Sequence, residues 1–229
     1  APLVRSGDQT ATDLFHQLLT QNESPRTREA VLQALAEMGD AAGVGPFISN
    51  ELDPNAEPDP AVRSSAALAL GQIGNFIYAS QLYDSTRRQT EPDPQVQKVA
   101  WTAFQGLLPH ANLNDLSYWA DRFGTQRELA REAVVLTVLS AKLKAADDKK
   151  NLAIEQQRLG DVYLELHQPD QAIPYLKNAL DYWQSQPVQR QNIVGLVGAL
   201  MNAYLANRQF HEAVPVSYTH LRAHETGRN

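Results

Sequence analysis

The chain has 229 residues, no cysteine, 43% hydrophobic and 20% charged residues, and a formal net charge of −6 from 20 basic and 26 acidic side chains. That length allows two ordinary domains or one elongated array, and the apolar content suits a packed core rather than a disordered chain. The composition excludes disulfides, thiolate metal sites and cysteine nucleophiles, argues against a phosphate-binding surface, and leaves no window apolar for long enough to span a bilayer.

In chain order, Thr12 to Leu19 comes first, a partial helical unit carrying Leu14, Phe15, Leu18 and Leu19. Three longer runs follow, opened by Ser24-Pro25, Asp59-Pro60 and Asp93-Pro94, with prolines 35 and 34 residues apart. Proline at the first helical position after Ser or Asp is a helix start, since that position needs no backbone donor and the cap accepts one. In this register Thr27, Val62 and Val96 align, as do Ala34, Ala69 and Ala103, then Leu35, Leu70 and Phe104, then Met38, Ile73 and Leu107. Their spacing places them on one helical face. Gly39 and Gly74 are expected to close two of the three helices. Second helices are expected over Val44 to Leu52, Phe76 to Arg87 and Leu113 to Phe123. No such pair buries its apolar face alone, so the units must stack.

The run from Asp59 to Gly74, read Asp-Pro-Ala-Val-Arg-Ser-Ser-Ala-Ala-Leu-Ala-Leu-Gly-Gln-Ile-Gly, resembles the bacterial HEAT-like repeat, also described as the phycobilisome-lyase-type repeat. The unit at Ser24 departs from the pattern in lacking the Asp. The unit at Asp93 departs from it with Gln97 for the Arg and Leu108 for the final Gly. The resemblance covers roughly Ala1 to Phe123, with the first domain drawn at residues 1–126. It implies an all-α chain, an α-solenoid of antiparallel helix pairs, of bacterial origin. It does not imply lyase chemistry, because most proteins with this repeat are binding scaffolds.

Arg127 to Ala146 reads as one long connecting helix, with Leu129, Ala133, Leu136, Ser140 and Leu143 along a stripe. Asp147-Asp148-Lys149-Lys150 punctuates it. Beyond lies a different unit: Leu159-Gly160-Asp161-Val162-Tyr163, then Ala172, Leu176 and Ala179, resembling the tetratricopeptide pattern. Gly160 would let two helices approach closely, Tyr163 would fill the space between them, and Ala172 would sit at the crossing. Tyr163 and Tyr204, Ala172 and Ala213, and Pro174 and Pro215 are each 41 residues apart, a period matching longer-helix variants of that family. Met201 stands where Gly160 stood. The second domain is drawn at residues 127–215, with its last unit cut short.

The register predicts that the helix continues past Pro215, yet the chain reads Val216-Ser217-Tyr218-Thr219-His220-Leu221-Arg222-Ala223-His224-Glu225-Thr226. This string resembles the translation of a transposon-end adapter used in sequencing libraries, so residues 216–229 are expected to be non-native. The opening Ala1-Pro2-Leu3, with no Met, likewise implies that the native N-terminus is missing or processed, and a signal peptide would be out of view.

No catalytic, cofactor or metal site stands out. His16, His110, His167 and His211 show no metal-binding helical spacing, and only His211-Glu212 matches the His-Glu pairs of iron-binding HEAT-like hydroxylases. No glycine-rich phosphate loop and no nucleophile elbow is present. Trp101, Trp119 and Trp183 read as packing residues, and Asp59 with Arg63 and Asp93 with Lys98 as cap and inter-repeat charges. The acidic run Glu51, Asp53, Glu57 and Asp59 reads as a solvated loop stiffened by Pro54, Pro58 and Pro60.

The expectation is a non-catalytic scaffold fragment that binds a protein or peptide and no nucleic acid, membrane or cofactor, with the location left open and the cytoplasm favoured. By the tetratricopeptide resemblance, Gln157, Asp161, Leu164 and Glu165 would face the groove, joined by Asn202 from the next unit. Such a groove is acidic to neutral and favours a basic or mixed peptide. The alternative is an accessory part of a larger enzyme, lyase-like or protein-modifying. That reading predicts a polar pocket of convergent ionisable groups within Ala1 to Phe123.

Overall fold

The computed structural model describes residues 14, 17–19, 24–39, 43–186 and 190–215. Over these residues the chain is all-α, with no strand. It divides into two compact units, Ala1–Ala111 and Asn112–Asn229. The partial unit at Thr12 to Leu19 lies mostly outside the described residues, and the adapter-like stretch 216–229 lies wholly outside them.

In the first unit, α1 (Pro25–Met38), α3 (Pro60–Ile73) and α5 (Pro94–Leu107) are each 14 residues long and start on the expected prolines. Ser24 Oγ accepts from the Thr27 N–H at 3.2 Å, Asp59 Oδ1 from Ala61 at 2.8 Å, and Asp93 Oδ1 from Gln95 and Val96 at 2.8 and 3.1 Å. These bonds satisfy donors that the first turn of a helix leaves orphaned. α1 packs on α3, and α3 on α5. Leu35, Leu70 and Phe104 are fully buried between them, with Val62, Ala66, Val96 and Ala100. Gly71 makes the second of these contacts possible: a Cβ there would lie 2.9 Å from Ala103 Cβ and 3.0 Å from its Cα.

Two of the three expected second helices are shorter than the sequence suggests, whereas the third spans Leu113–Thr125 and covers its expected range. α2 spans Gly45–Asn50 and packs on α3; α4 spans Ala79–Asp84, entered through a 3₁₀ turn at Phe76–Tyr78, and packs on α5. Gly39 and Gly74 both have φ of 74°, as their closing positions require. α5 instead runs into a 3₁₀ turn, Leu108–His110.

The loops before α3 and α5 are where the structure corrects the sequence reading. Both read Glu-Pro-Asp-Pro, and the Glu of each is buried, Glu57 at 2% exposure and Glu91 at 1%. Arg28 grips Glu57 with two bonds of 2.6 and 3.0 Å, and Arg63 grips Glu91 with two of 2.8 Å. Arg63 therefore pairs with the next loop's Glu91 and not with Asp59, which is occupied in capping α3. Each Glu also accepts the N–H of the Asp two residues on, at 2.8 Å in both loops. Glu51 is buried beside this lattice, and that burial, then the charge of Glu57, raises its pKa. Gln97 occupies the Arg position in α5 and donates only to the Glu91 carbonyl at 2.7 Å. No third Glu-Pro-Asp-Pro follows, so the lattice ends with the first unit.

The second unit is a run of antiparallel helices: α6 (Leu113–Thr125), α7 (Leu129–Ala145), α8 (Lys149–Glu165), α9 (Pro169–Gln184) and α10 (Arg190–Ala206), with residues 210–215 again helical. Each helix packs on its neighbours in sequence. Arg127 was expected to open the connecting helix but has φ of 60°, so α7 starts only at Leu129. Asp147, His167 and Arg208 share this left-handed conformation, at 55°, 59° and 57°. All four turns close with the same six-residue bond, from Glu128 to Phe123, Asp148 to Leu143, Gln168 to Tyr163 and Gln209 to Tyr204, at 2.8–3.0 Å. This is the Schellman turn, built here without glycine. Arg127, His167 and Arg208 are 40 and 41 residues apart, so the period noted for α8 onward already begins with α6 and α7.

Gly160 acts as expected. A Cβ there would lie 2.6 Å from the Leu176 side chain and 3.5 Å from the Ala172 carbonyl. Tyr163 stacks on Tyr175, ring centroids 5.7 Å apart. Ala172, Leu176 and Ala179 join Trp183, Leu196, Val197, Leu200 and Ala203 in one buried cluster.

Candidate functional site

A groove of about 740 Å³ runs along α8 in the second unit. Its floor is the α8 face bearing Lys150, Ile154, Gln157, Asp161 and Glu165, residues three, four and seven apart that helical geometry stacks in a row. Arg127 and Leu129 from the turn between α6 and α7 form part of its wall, with Trp183 from α9.

Three of the five residues expected at a partner surface come together here: Gln157, Asp161 and Glu165. Leu164 sits on another face of α8 and packs against the apolar cluster. Asn202 is exposed on α10 and does not line the groove.

Arg158 is the residue that sequence reasoning missed. Its Nε donates to Glu132 Oε1 at 2.7 Å and its Nη1 to Asp121 Oδ1 at 2.6 Å, which ties α6, α7 and α8 together at one edge of the groove. Burial works against the Arg158 charge, but the bonds to Asp121 and Glu132 outweigh it and raise its pKa. Glu132 is only 4% exposed. It stands five residues after the left-handed Arg127, where the equivalent turns place Ala172 and Ala213. A small residue at the helix crossing is thus replaced by a buried carboxylate with its own counter-charge. Gly124 makes room for it: a Cβ there would meet Glu132 Oε1 at 2.9 Å and Arg158 Nη2 at 3.0 Å. The only sequence signal was a Glu where the repeat elsewhere has Ala.

The other groove charges are less firmly held. Arg127 Nη2 meets Glu165 Oε2 at 3.0 Å, but the two side chains are 73% and 46% exposed, and such pairs are weak and exchangeable. Among the described residues Asp161 has no basic partner. It is open to solvent at its tip yet set among groove walls, and that desolvation, then the charge of Glu165, raises its pKa. Glu155, three residues before Arg158 on α8, is also raised by desolvation, and its Oε2 is buried with no hydrogen-bond partner. Trp183, 3% exposed, belongs to the core as expected and also lines the groove, with its indole N–H buried and unpartnered.

In the first unit a groove of about 460 Å³ lies between α1 and α3, and among the described residues Arg26 and Glu29 are the only ionisable ones in its lining. Among the described residues, no group of three His, Asp or Glu side chains is placed to hold a metal ion, and no helix is long and apolar enough to cross a membrane.

No protein-family model matches the chain, and no curated protein matches it. Among solved structures, the crystal structure of BtubC (BKLC) from P. vanneervenii is similar over 96% of this chain and 89% of that one, at 14% sequence identity and a TM-score of 0.47.

Proposed function

We propose that this chain is a non-catalytic scaffold of solenoid type, HEAT-like and then tetratricopeptide-like, that holds a partner protein or peptide in the groove along α8. The observation that carries the reading is the α8 face itself. Gln157, Asp161 and Glu165 line one open groove that the Arg158 pairs tie together along one edge. Rigid walls that present exchangeable polar groups suit recognition of a chain segment, because little ordering remains to be done on binding.

The accessory-enzyme reading has less support. It calls for convergent ionisable groups in the first unit, where one groove carries Arg26 and Glu29 among Ala, Gln, Ser and Leu, and another, of about 390 Å³, carries Asp53 and Asp84 with no basic residue among its described lining.

The test is to select peptides from a random library on the wild-type chain, then measure the best binders against a double variant, Asp161→Lys with Glu165→Lys. Loss of binding at an unchanged melting temperature supports the groove. Binding of every selected peptide at wild-type affinity removes it.

A further inference from the structure

Resting on the scaffold reading above, we infer that the α8 groove recognises one cationic side chain of its partner, a lysine or arginine, seated against Asp161 beside Glu165.

Charge accounting inside the groove comes first. Arg158 is committed to Glu132 and Asp121, with Glu155 also under its charge, and makes no bond to Asp161. Arg127 offsets Glu165 through a pair that is largely in water. Asp161 is left as a carboxylate without a basic partner, next to a second carboxylate one turn further on. The remaining cation of the lining, Lys150, is eleven positions away, roughly 16 Å along the helix at 1.5 Å per residue. That exceeds the screening length of about 8–10 Å in ordinary buffer. This end of the groove thus carries a desolvated negative charge that none of the described cations of the lining pairs with.

The lining between these charges fits the rest of such a side chain. Ile154 is 42% exposed in the groove and sits seven residues before Asp161 on the same face. Lysine and arginine carry apolar stems that lie along surfaces of this kind while the charged head reaches a polar group beyond. Trp183 closes the groove from α9 with its indole N–H buried, so its resonance reports on what the groove holds without itself making the contact.

The experiment follows the three indole N–H resonances of the full chain by NMR, with Trp183 assigned through a Trp183→Phe variant. The probes are the N-acetyl methylamides of lysine, arginine, norleucine and glutamate. The expected result is a saturable shift of the Trp183 resonance with the lysine and arginine probes and none with the other two. Asp161→Asn should weaken that binding by roughly tenfold, as loss of a charge-assisted contact does, while Lys150→Ala leaves it unchanged. Equal response to norleucine, preference for glutamate, or indifference to Asp161→Asn each overturns the inference. Library peptides that need the groove but show no lysine or arginine preference also overturn it, and leave the scaffold reading intact. If the probes behave as expected but the Lys double variant binds every library peptide, the cation site stands and the scaffold reading falls.

Discussion

Glu91→Ala tests the physical heart of the first unit. The Arg63–Glu91 pair is almost dry, with side chains 4% and 1% exposed. Arg63 makes two bonds of 2.8 Å to the carboxylate and donates to the Glu57 and Pro58 carbonyls at 2.9 Å each. Glu91 also accepts the Asp93 N–H that positions the cap of α5. Removing the carboxylate leaves a guanidinium buried with half its partners, and breaking a pair of this kind costs about 3–5 kcal/mol. At about 4 °C per kcal/mol for a unit near 100 residues, the melting temperature of the first unit should fall by roughly 12–20 °C. The assay is thermal unfolding of the full chain by circular dichroism, with amide hydrogen exchange to place the loss in α3 and α5. Arg127→Ala, which removes an exposed pair, is the control and should cost less than about 1 kcal/mol. Arg63→Met combined with Glu91→Leu should recover part of the loss, because the penalty of a lone buried charge is then gone. A Glu91→Ala variant that melts within 2 °C (about half a kcal/mol) of the wild type would refute the picture of a dry, structural lattice.

Two further outcomes follow from positions in the helices. Gly71→Ala should destabilise by about 1–3 kcal/mol in denaturant melts, since its Cβ would meet the Ala103 backbone at 3.0 Å and the helices must part. Gly195→Ala, in α10 with nothing within 4 Å, should stabilise by about 0.5–1 kcal/mol through helix propensity alone; the same sign for both variants would show that the α3–α5 contact is looser than described. Glu155 supplies a pH test. Burial raises its carboxyl pKa against the opposing charge of Arg158, with Asp121 and Glu132 pushing the same way as burial. The folded state therefore binds this proton more tightly than the unfolded one, so the contribution to stability is full below the ordinary value of 4.5 and lost as pH rises through the folded value. Glu155→Gln, neutral at any pH, should melt higher than the wild type at pH 7, with the gap closing as the pH falls toward 4.5. A gap that stays constant with pH would assign the effect to packing instead.

What was legible in the sequence is what local chemistry dictates. The capped prolines set the starts of α1, α3 and α5 because a proline at the first helical position and an Asp or Ser before it need no distant partner. The apolar stripe named their buried faces, and Gly160 with Ala172 marked a close helix crossing, because period and side-chain size are properties of the chain itself. The same row of residues on α8 put Gln157, Asp161 and Glu165 on one surface. Only the tertiary structure decided where charges go. Glu57 and Glu91 belong to an acidic, proline-rich loop that looks solvated, and they are buried only because Arg28 and Arg63 reach them from 29 and 28 residues away. Arg158 likewise looks like any helix-surface arginine until Glu132 and Asp121, 26 and 37 residues distant, close around it. The left-handed Arg127 moved the start of α7 from Arg127 to Leu129, since a Schellman turn without glycine leaves no mark in composition. Helix starts and buried faces depend on near neighbours along the chain, whereas the partner of a buried charge depends on which helices meet, and that is set only when the units pack.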